Sequence, residues 1–188
     1  IVITGINLGT YSDGDKGFID VIDALEDLPL LRRIRISSIE PTTIPIPLIE
    51  KMADPESKVC NYLHIPIQSA TDEVLGLMKR KYTLDEFTGF IDQVMSISPS
   101  IGLGTDVIVG FPGETDELFE SAYEYLLESP FFYFHVFSYS EREMARSRKM
   151  DGQVPKSVIA ERSRRLRELS TRKKQVYMEQ MIGTKQSV

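Results

Sequence analysis

The sequence predicts an α/β fold: a partial, open (β/α) TIM-like barrel with parallel strands and a long C-terminal helix. Three observations point there. Five short segments rich in Ile, Val and Phe recur about 33 residues apart, the spacing of right-handed β-crossover-β units. Amphipathic helical patterns fill the intervals. The 188 residues hold five or six such units, whereas a closed eight-unit barrel takes about 250 residues. A doubly wound sheet is the competing arrangement, but Gly5–Ile6–Asn7–Leu8–Gly9 does not fit its Gly-rich phosphate turn.

Taken in order, the first strand is Ile1–Ile6, and Phe18, Val21, Ile22 and Leu25 mark a short helix after it. The strand Arg33–Ile39 leads to a helix opened by Pro45 or Pro47 and carrying Ile49 and Met52. The strand Tyr62–Gln68 follows, then a short helix ahead of Lys79, Arg80 and Lys81. Thr83–Leu84–Asp85–Glu86 reads as a capping box, with Phe87, Phe90, Ile91, Val94 and Met95 as the stripe behind it. After the strand Ile101–Phe111, Thr115 caps a helix with Asp116 and Glu117 in its first turn and Leu118, Phe119, Ala122 and Leu126 buried. Phe131–Tyr139 is the last strand. Beyond Pro155 a helix of about 28 residues carries Val158, Ile159, Leu166, Leu169, Val176 and Met181 on one stripe, and Arg162, Arg164, Arg165, Arg167, Arg172, Lys173 and Lys174 on its other faces. The expected division is a barrel over residues 1–153 and a basic helix over 154–188. Because Ile1 stands where a strand is already under way, the chain reads as part of something longer.

Composition narrows the chemistry. Cys60 is the one cysteine, so this chain by itself builds no disulfide framework, zinc site or Cys-ligated iron–sulfur cluster, and no metal ligands are assigned. No apolar run approaches the roughly 20 residues that span a bilayer, and no signal peptide opens the sequence, so a cytoplasmic location without membrane contact is expected. The formal charge is −6, but it is unevenly spread. Residues 1–141 carry 9 basic and 23 acidic side chains, giving −14, whereas residues 142–188 carry 13 and 5, giving +8.

In a barrel the chemistry belongs at the C-terminal ends of the strands. Alternation along Tyr62–Ser69 turns Leu63, Ile65 and Ile67 towards the helices and His64 and Gln68 inward. The plain alternative for His64 is a hydrogen-bonded structural residue; Gln68 and Ser69, at the strand end, are the better ligand candidates. Asp106 shares a face with Ile108 and Gly110, and a glycine at a strand end lets a ligand or another backbone approach closely. Phe111-Pro112-Gly113-Glu114 then feeds a helix N-terminus suited to an anionic group. Asn7, Glu40 and the Ser138–Ser140 stretch end the other strands, so the strand ends together point to a wide ligand-binding mouth. Ser–His–Asp spacing, HExxH and a P-loop are all missing, and no residue is assigned as catalytic.

Seven blocks then match a known family in order: TGINLGTY (Thr4–Tyr11), RISSIEP (Arg35–Pro41), LHIPIQS (Leu63–Ser69), LMKRKY (Leu77–Tyr82), GTDVIVGFPGET (Gly104–Thr115), HVFSYSE (His135–Glu141) and QVP with ERSRRLREL (Gln153–Pro155, Glu161–Leu169). The chain closely resembles the radical SAM methylthiotransferases of tRNA, most of all the branch acting on threonylcarbamoyladenosine beside the anticodon. The resemblance implies a partial radical SAM barrel binding S-adenosylmethionine, and [4Fe–4S] clusters whose cysteines precede this stretch in the family. It implies that a cluster fed by a reductant cleaves the sulfonium to a deoxyadenosyl radical that activates adenine for methylthio transfer. A small RNA-binding β-domain would begin near Gly183, and the chain alone would be inactive. Asn7 matches the loop that meets the methionine amino group, Gln68 and Ser69 the ribose side, and Asp106, Ile108 and Gly110 the adenine side. One extra residue before Glu114 favours a helix-start role there, and Glu40 could meet the cofactor or the base.

For tRNA, the resemblance makes Arg142, Arg146, Arg148 and Lys149, just past the last strand, and Arg162 and Arg165 on the long helix, a path for phosphates. Two other readings compete: a barrel lyase or aldolase using Glu40, Asp106 and His64 for acid–base work, and a non-catalytic module binding RNA through residues 142–174.

Overall fold

A computed structural model describes residues 1–141 and 145–184. The elements run β1 (Val2–Ile3), β2 (Ser12–Asp13), β3 (Lys16–Gly17), α1 (Phe18–Glu26), β4 (Arg35–Ile36), α2 (Ile46–Ala53) and β5 (Tyr62–His64). There follow α3 (Asp72–Leu77), α4 (Leu84–Ile97), β6 (Gly102–Val109), α5 (Asp116–Glu128), β7 (Tyr133–Ser138) and α6 (Lys156–Met181). The chain forms two compact units, Ile1–Pro66 with Leu84–Gly104 and Ile67–Thr83 with Thr105–Val188.

In the first unit parallel strands lie in the order β1-β4-β5-β6. Val2 pairs with Arg35 and Ile3 with Ile36, Ile34 bridges Val59, and Tyr62, Leu63 and His64 pair with Gly102, Leu103 and Gly104. The ladders are shorter than the apolar segments that predict them. Beyond Ile3 the chain enters a 3-10 turn at Leu8–Thr10, whereas beyond Ile36 the Ser37 and Ile39 amides still donate to Ile3 O and His64 O before the 3-10 turn Pro41–Thr43. Their outward stripes make the core: Ile34, Ile36, Leu63 and Leu103 from the strands, Leu48, Ile49 and Met52 from α2, and Phe87, Ile91 and Val94 from α4. The hairpin β2–β3 was not evident from the apolar pattern; Gly14, at φ 61°, supplies the left-handed residue its turn needs. Glu26 ties α1 to its surroundings by accepting from Lys51 Nζ at 2.8 Å, Ser57 Oγ at 2.6 Å and the Lys58 amide at 2.8 Å.

In the second unit, β7 lies beside β6, and the Tyr139 amide donates to Val109 O at 2.8 Å. Thr115 caps α5 as its sequence predicts, accepting from the Leu118 amide at 3.2 Å, and Phe119, Ala122 and Leu126 are buried. Strand alternation turns the backbone groups of Phe134 and Val136 away from β6, towards an open sheet edge. Helix α6 covers that edge. Ser170 Oγ accepts from the Phe134 amide at 2.9 Å and donates to the Phe134 carbonyl at 2.8 Å. Arg167 donates to Val136 O at 3.2 Å, and the Ser138 and Ser163 hydroxyls meet at 2.9 Å. Ser163, Arg167 and Ser170 are spaced i, i+4, i+7, so one helix face reads one strand edge. Ile159, Leu166 and Leu169 are buried as the stripe predicts, each contributing about 1.5–3 kcal/mol for a side chain of this size; Val176, expected on the same stripe, is exposed. Helix α6 packs into the same unit as β7 and α5. Among the described residues no helix is long and apolar enough to cross a membrane.

Candidate functional site

The ends of β1 and β4 interlock in the first unit. Asn7 Oδ1 accepts from Thr43 Oγ1 at 3.1 Å, and the Glu40 carbonyl accepts from the Thr43 amide at 3.0 Å. A Cβ on Gly9 would lie 2.0 Å from the Thr43 carbonyl oxygen, so the close fit of these loops requires glycine there. Asn7 and Glu40 are thus brought to one half-buried polar cluster through Thr43, a residue the sequence reading did not single out. His64, on β5, is buried, with Nδ1 3.4 Å from the Tyr62 hydroxyl.

In the second unit Gln68 sits where the strand gives way to a turn. Its amide donates to Asp106 O and its carbonyl accepts from the Ile108 amide, both at 2.8 Å, while its φ of 67° is left-handed. A non-glycine residue held there by two ladder bonds is a strained position of the kind that clusters at ligand sites. Ser69 is buried beside it, and Thr71 Oγ1, two residues on, is a buried oxygen without a hydrogen-bond partner. Asp106 Oδ1 lies 3.1 Å from His135 Nδ1, with the His135 side chain 57% exposed and that of Asp106 20%. The pairing of Asp106 with His135 joins two strands, and only their alternation in the sequence hints at it.

Gly110 allows the close approach expected of a glycine at a strand end. Its φ is 79°, and a Cβ would fall 2.3 Å from Ile159 Cγ1, so α6 approaches this backbone closely. Its amide donates to Glu114 Oε2 at 3.1 Å. Glu114 Oε1 accepts from Arg162 at 2.6 Å, the two side chains being 7% and 6% exposed. Burial pushes the Glu114 carboxyl above the ordinary carboxylate range, against the pull of the Gly110 amide and the Arg162 guanidinium. Thr115, not Glu114, is the helix cap.

The basic residues divide. Arg162 also binds Asp116 at 2.6 Å. Arg165 grips Glu120 at 2.5 and 2.8 Å and lies over the Phe119 and Tyr123 rings. Both guanidiniums dock α6 on α5 and its entry loop and are not held out towards solvent phosphates. Arg162 shares the spacing of Ile159, Leu166 and Leu169, which is the sequence signal for its burial. Arg164 is held by Glu161 and Glu168 within the helix. Arg146 opens the 3-10 turn Arg146–Lys149, and Arg148, exposed in it, lies 3.8 Å from Glu141. Arg142 lies outside the described residues.

An iron–sulfur cluster needs several thiolates, and Cys60 is a single half-buried thiol, so these residues do not fit such a cluster. The donor set in the second unit does fit a polar cofactor: Asp106 offers a partly open carboxylate, and Gln68 an amide on a strained strand end.

A model of the radical SAM superfamily matches residues 2–126. The threonylcarbamoyladenosine tRNA methylthiotransferase MtaB of Bacillus subtilis is 40% identical over 96% of this chain and 40% of its own length. The tRNA-2-methylthio-N(6)-dimethylallyladenosine synthase of Mycolicibacterium gilvum is 38% identical over 92% of this chain and 35% of its own. The chain thus spans about 40% of the length of such relatives. Among solved structures, the radical SAM enzyme coproporphyrinogen III oxidase (HemN) from Escherichia coli shares the fold with a TM-score of 0.54, at 18% identity over 79% of this chain and 32% of its own. Open runs of parallel strands with polar ends, and a family match extending from β1 into α5, make this chain a member of the radical SAM superfamily.

Proposed function

We propose that the chain is part of an iron–sulfur radical SAM enzyme that installs a methylthio group on a modified adenosine of tRNA next to the anticodon. The observation that carries this reading is the 40% identity to a threonylcarbamoyladenosine tRNA methylthiotransferase over 96% of the chain. Gln68, Ser69 and Asp106 would hold S-adenosylmethionine, whose sulfonium supplies the radical chemistry and whose methyl group is the transferable carbon. Asp106 suits a hydroxyl or amino donor of the cofactor, and His135 at 3.1 Å fixes the direction of its carboxylate. The tRNA and a reductant for the clusters complete the partners, and such a substrate fits a cytoplasmic location.

Titration calorimetry with S-adenosylmethionine tests the cofactor half of the proposal. Gln68→Ala and Asp106→Asn are expected to weaken binding about tenfold each, the loss of one hydrogen bond to a polar ligand. Unchanged affinity in both variants would remove these residues from the site. Gel-shift titration with tRNA tests the other half: affinity that does not fall with added salt would refute a phosphate-reading surface.

A further inference from the structure

We infer that the groove between β7 and α6 binds a single-stranded RNA nucleotide, with the base on Phe137 and the phosphate at Arg167. The inference rests on the reading of the chain as part of a tRNA-modifying enzyme, and it gives a role to Phe137 and Arg167, which the cofactor set does not include.

The groove is an open cavity of about 640 Å³ lined by His135, Phe137, Arg167 and Thr171 with the β7 backbone. A row of aromatic rings along β7 leads into it, with His135 and Phe137 in its lining. Tyr133 and His135 stand edge to face with centroids 5.2 Å apart, and His135 and Phe137 likewise at 6.3 Å. Phe137 ends this row and is 51% exposed. A half-exposed ring beside a cation is a platform on which a nucleobase stacks whatever its sequence. Arg167, exposed on the facing helix, gives one N–H to Val136 O; a guanidinium has five. Lys174, two turns on, is exposed and shares that helix face. Charge argues for RNA over an apolar peptide. Residues 142–188 carry +8, and with Arg162, Arg164 and Arg165 held by carboxylates, Arg167 is the arginine of α6 that lines the aromatic groove. An aromatic platform beside a cation is the arrangement that binds single strands by stacking and backbone contact.

Fluorescence anisotropy with labelled hexa-adenylate, hexa-uridylate and an abasic ribose-phosphate hexamer tests this on the full chain. Hexa-adenylate is expected to bind most tightly, because purines stack best. Phe137→Ala should weaken hexa-adenylate about tenfold and leave the abasic hexamer within twofold. Arg167→Lys, which keeps the charge, should retain most of the affinity, while Arg167→Ala should weaken all three probes and reduce the log–log salt slope by about 0.7. Thermal melts of each variant establish folding, and the exposed Lys16→Ala serves as a control without effect. Equal binding of all three probes, no change in Phe137→Ala, or no binding by the unaltered chain would overturn the inference. Displacement of hexa-adenylate by saturating S-adenosylmethionine would overturn it too, by showing that the groove takes the cofactor. If S-adenosylmethionine binds and responds to Gln68→Ala while the RNA arm fails, this inference falls and the broader reading stands.

Discussion

Replacing Arg162 by methionine strips a buried carboxylate of its partner while keeping the aliphatic volume. The ion pair is 2.6 Å long between side chains 6% and 7% exposed, and the same guanidinium donates to the Glu114 carbonyl at 3.0 Å. At an effective dielectric of about 20, charge centres about 4 Å apart attract by roughly 4 kcal/mol, and breaking a buried pair from one side costs about 3–5 kcal/mol. Asp116, whose side chain is 87% exposed, returns to water at little cost. The loss depends on pH in a defined direction. Burial already raises the folded Glu114 carboxyl above its ordinary 4.5, so its stabilising contribution is complete below the unfolded value and is lost as pH rises through the folded one. Without Arg162 the folded value climbs further, and the loss extends towards neutrality. Urea unfolding of the unaltered chain and Arg162→Met from pH 4.5 to 8 should therefore show curves that diverge as pH increases. Adding Glu114→Gln to the variant should recover most of the difference at pH 7. A penalty that stays constant across the range, or a double variant no more stable than the single, would refute the argument.

Three further substitutions probe the second unit. Gly110→Ala places a Cβ 2.3 Å from Ile159 Cγ1 at a φ of 79° and is expected to cost about 2–4 kcal/mol in denaturant unfolding. Combined with Ile159→Ala it should cost much less than the sum. Ser170→Ala leaves the Phe134 amide and carbonyl without their shared partner. It should destabilise by about 2 kcal/mol and speed hydrogen exchange at Phe134, and an unchanged exchange rate would contradict the edge-covering role of α6. Gln68→Gly relaxes a left-handed position and should leave stability unchanged or raise it by up to about 1 kcal/mol. A melting temperature well below that of Gln68→Ala would show that the φ of 67° is not a strained one.

Much of the framework was legible because its signals are local. Phe87, Ile91 and Val94 lie on one helical face and are buried together, and Thr115 caps α5 through an amide three residues away. Alternation along β5 buries Leu63 and leads on to Ile65 and Ile67 as core. The candidate site was legible as residue types but less so as roles. Gln68 and Asp106 meet through the backbone at the strand end, whereas the space beside Gly110 belongs to Ile159.

The sequence by itself determined the order of strands and helices, the superfamily signature and the concentration of positive charge after residue 141. What that charge does was decided only by tertiary structure. Arg162 finds Glu114 across 48 residues, Arg165 finds Glu120 across 45, and Ser170 finds Phe134 across 36. Helical periodicity fixes which face a side chain leaves from, but not what stands opposite. A guanidinium is the same in the sequence whether it ends in water or on a carboxylate. Once α6 had buried Ile159, Leu166 and Leu169 against this unit, the arginines on that side had to be neutralised by α5 and its entry loop, because unpaired charge is not tolerated at such a contact.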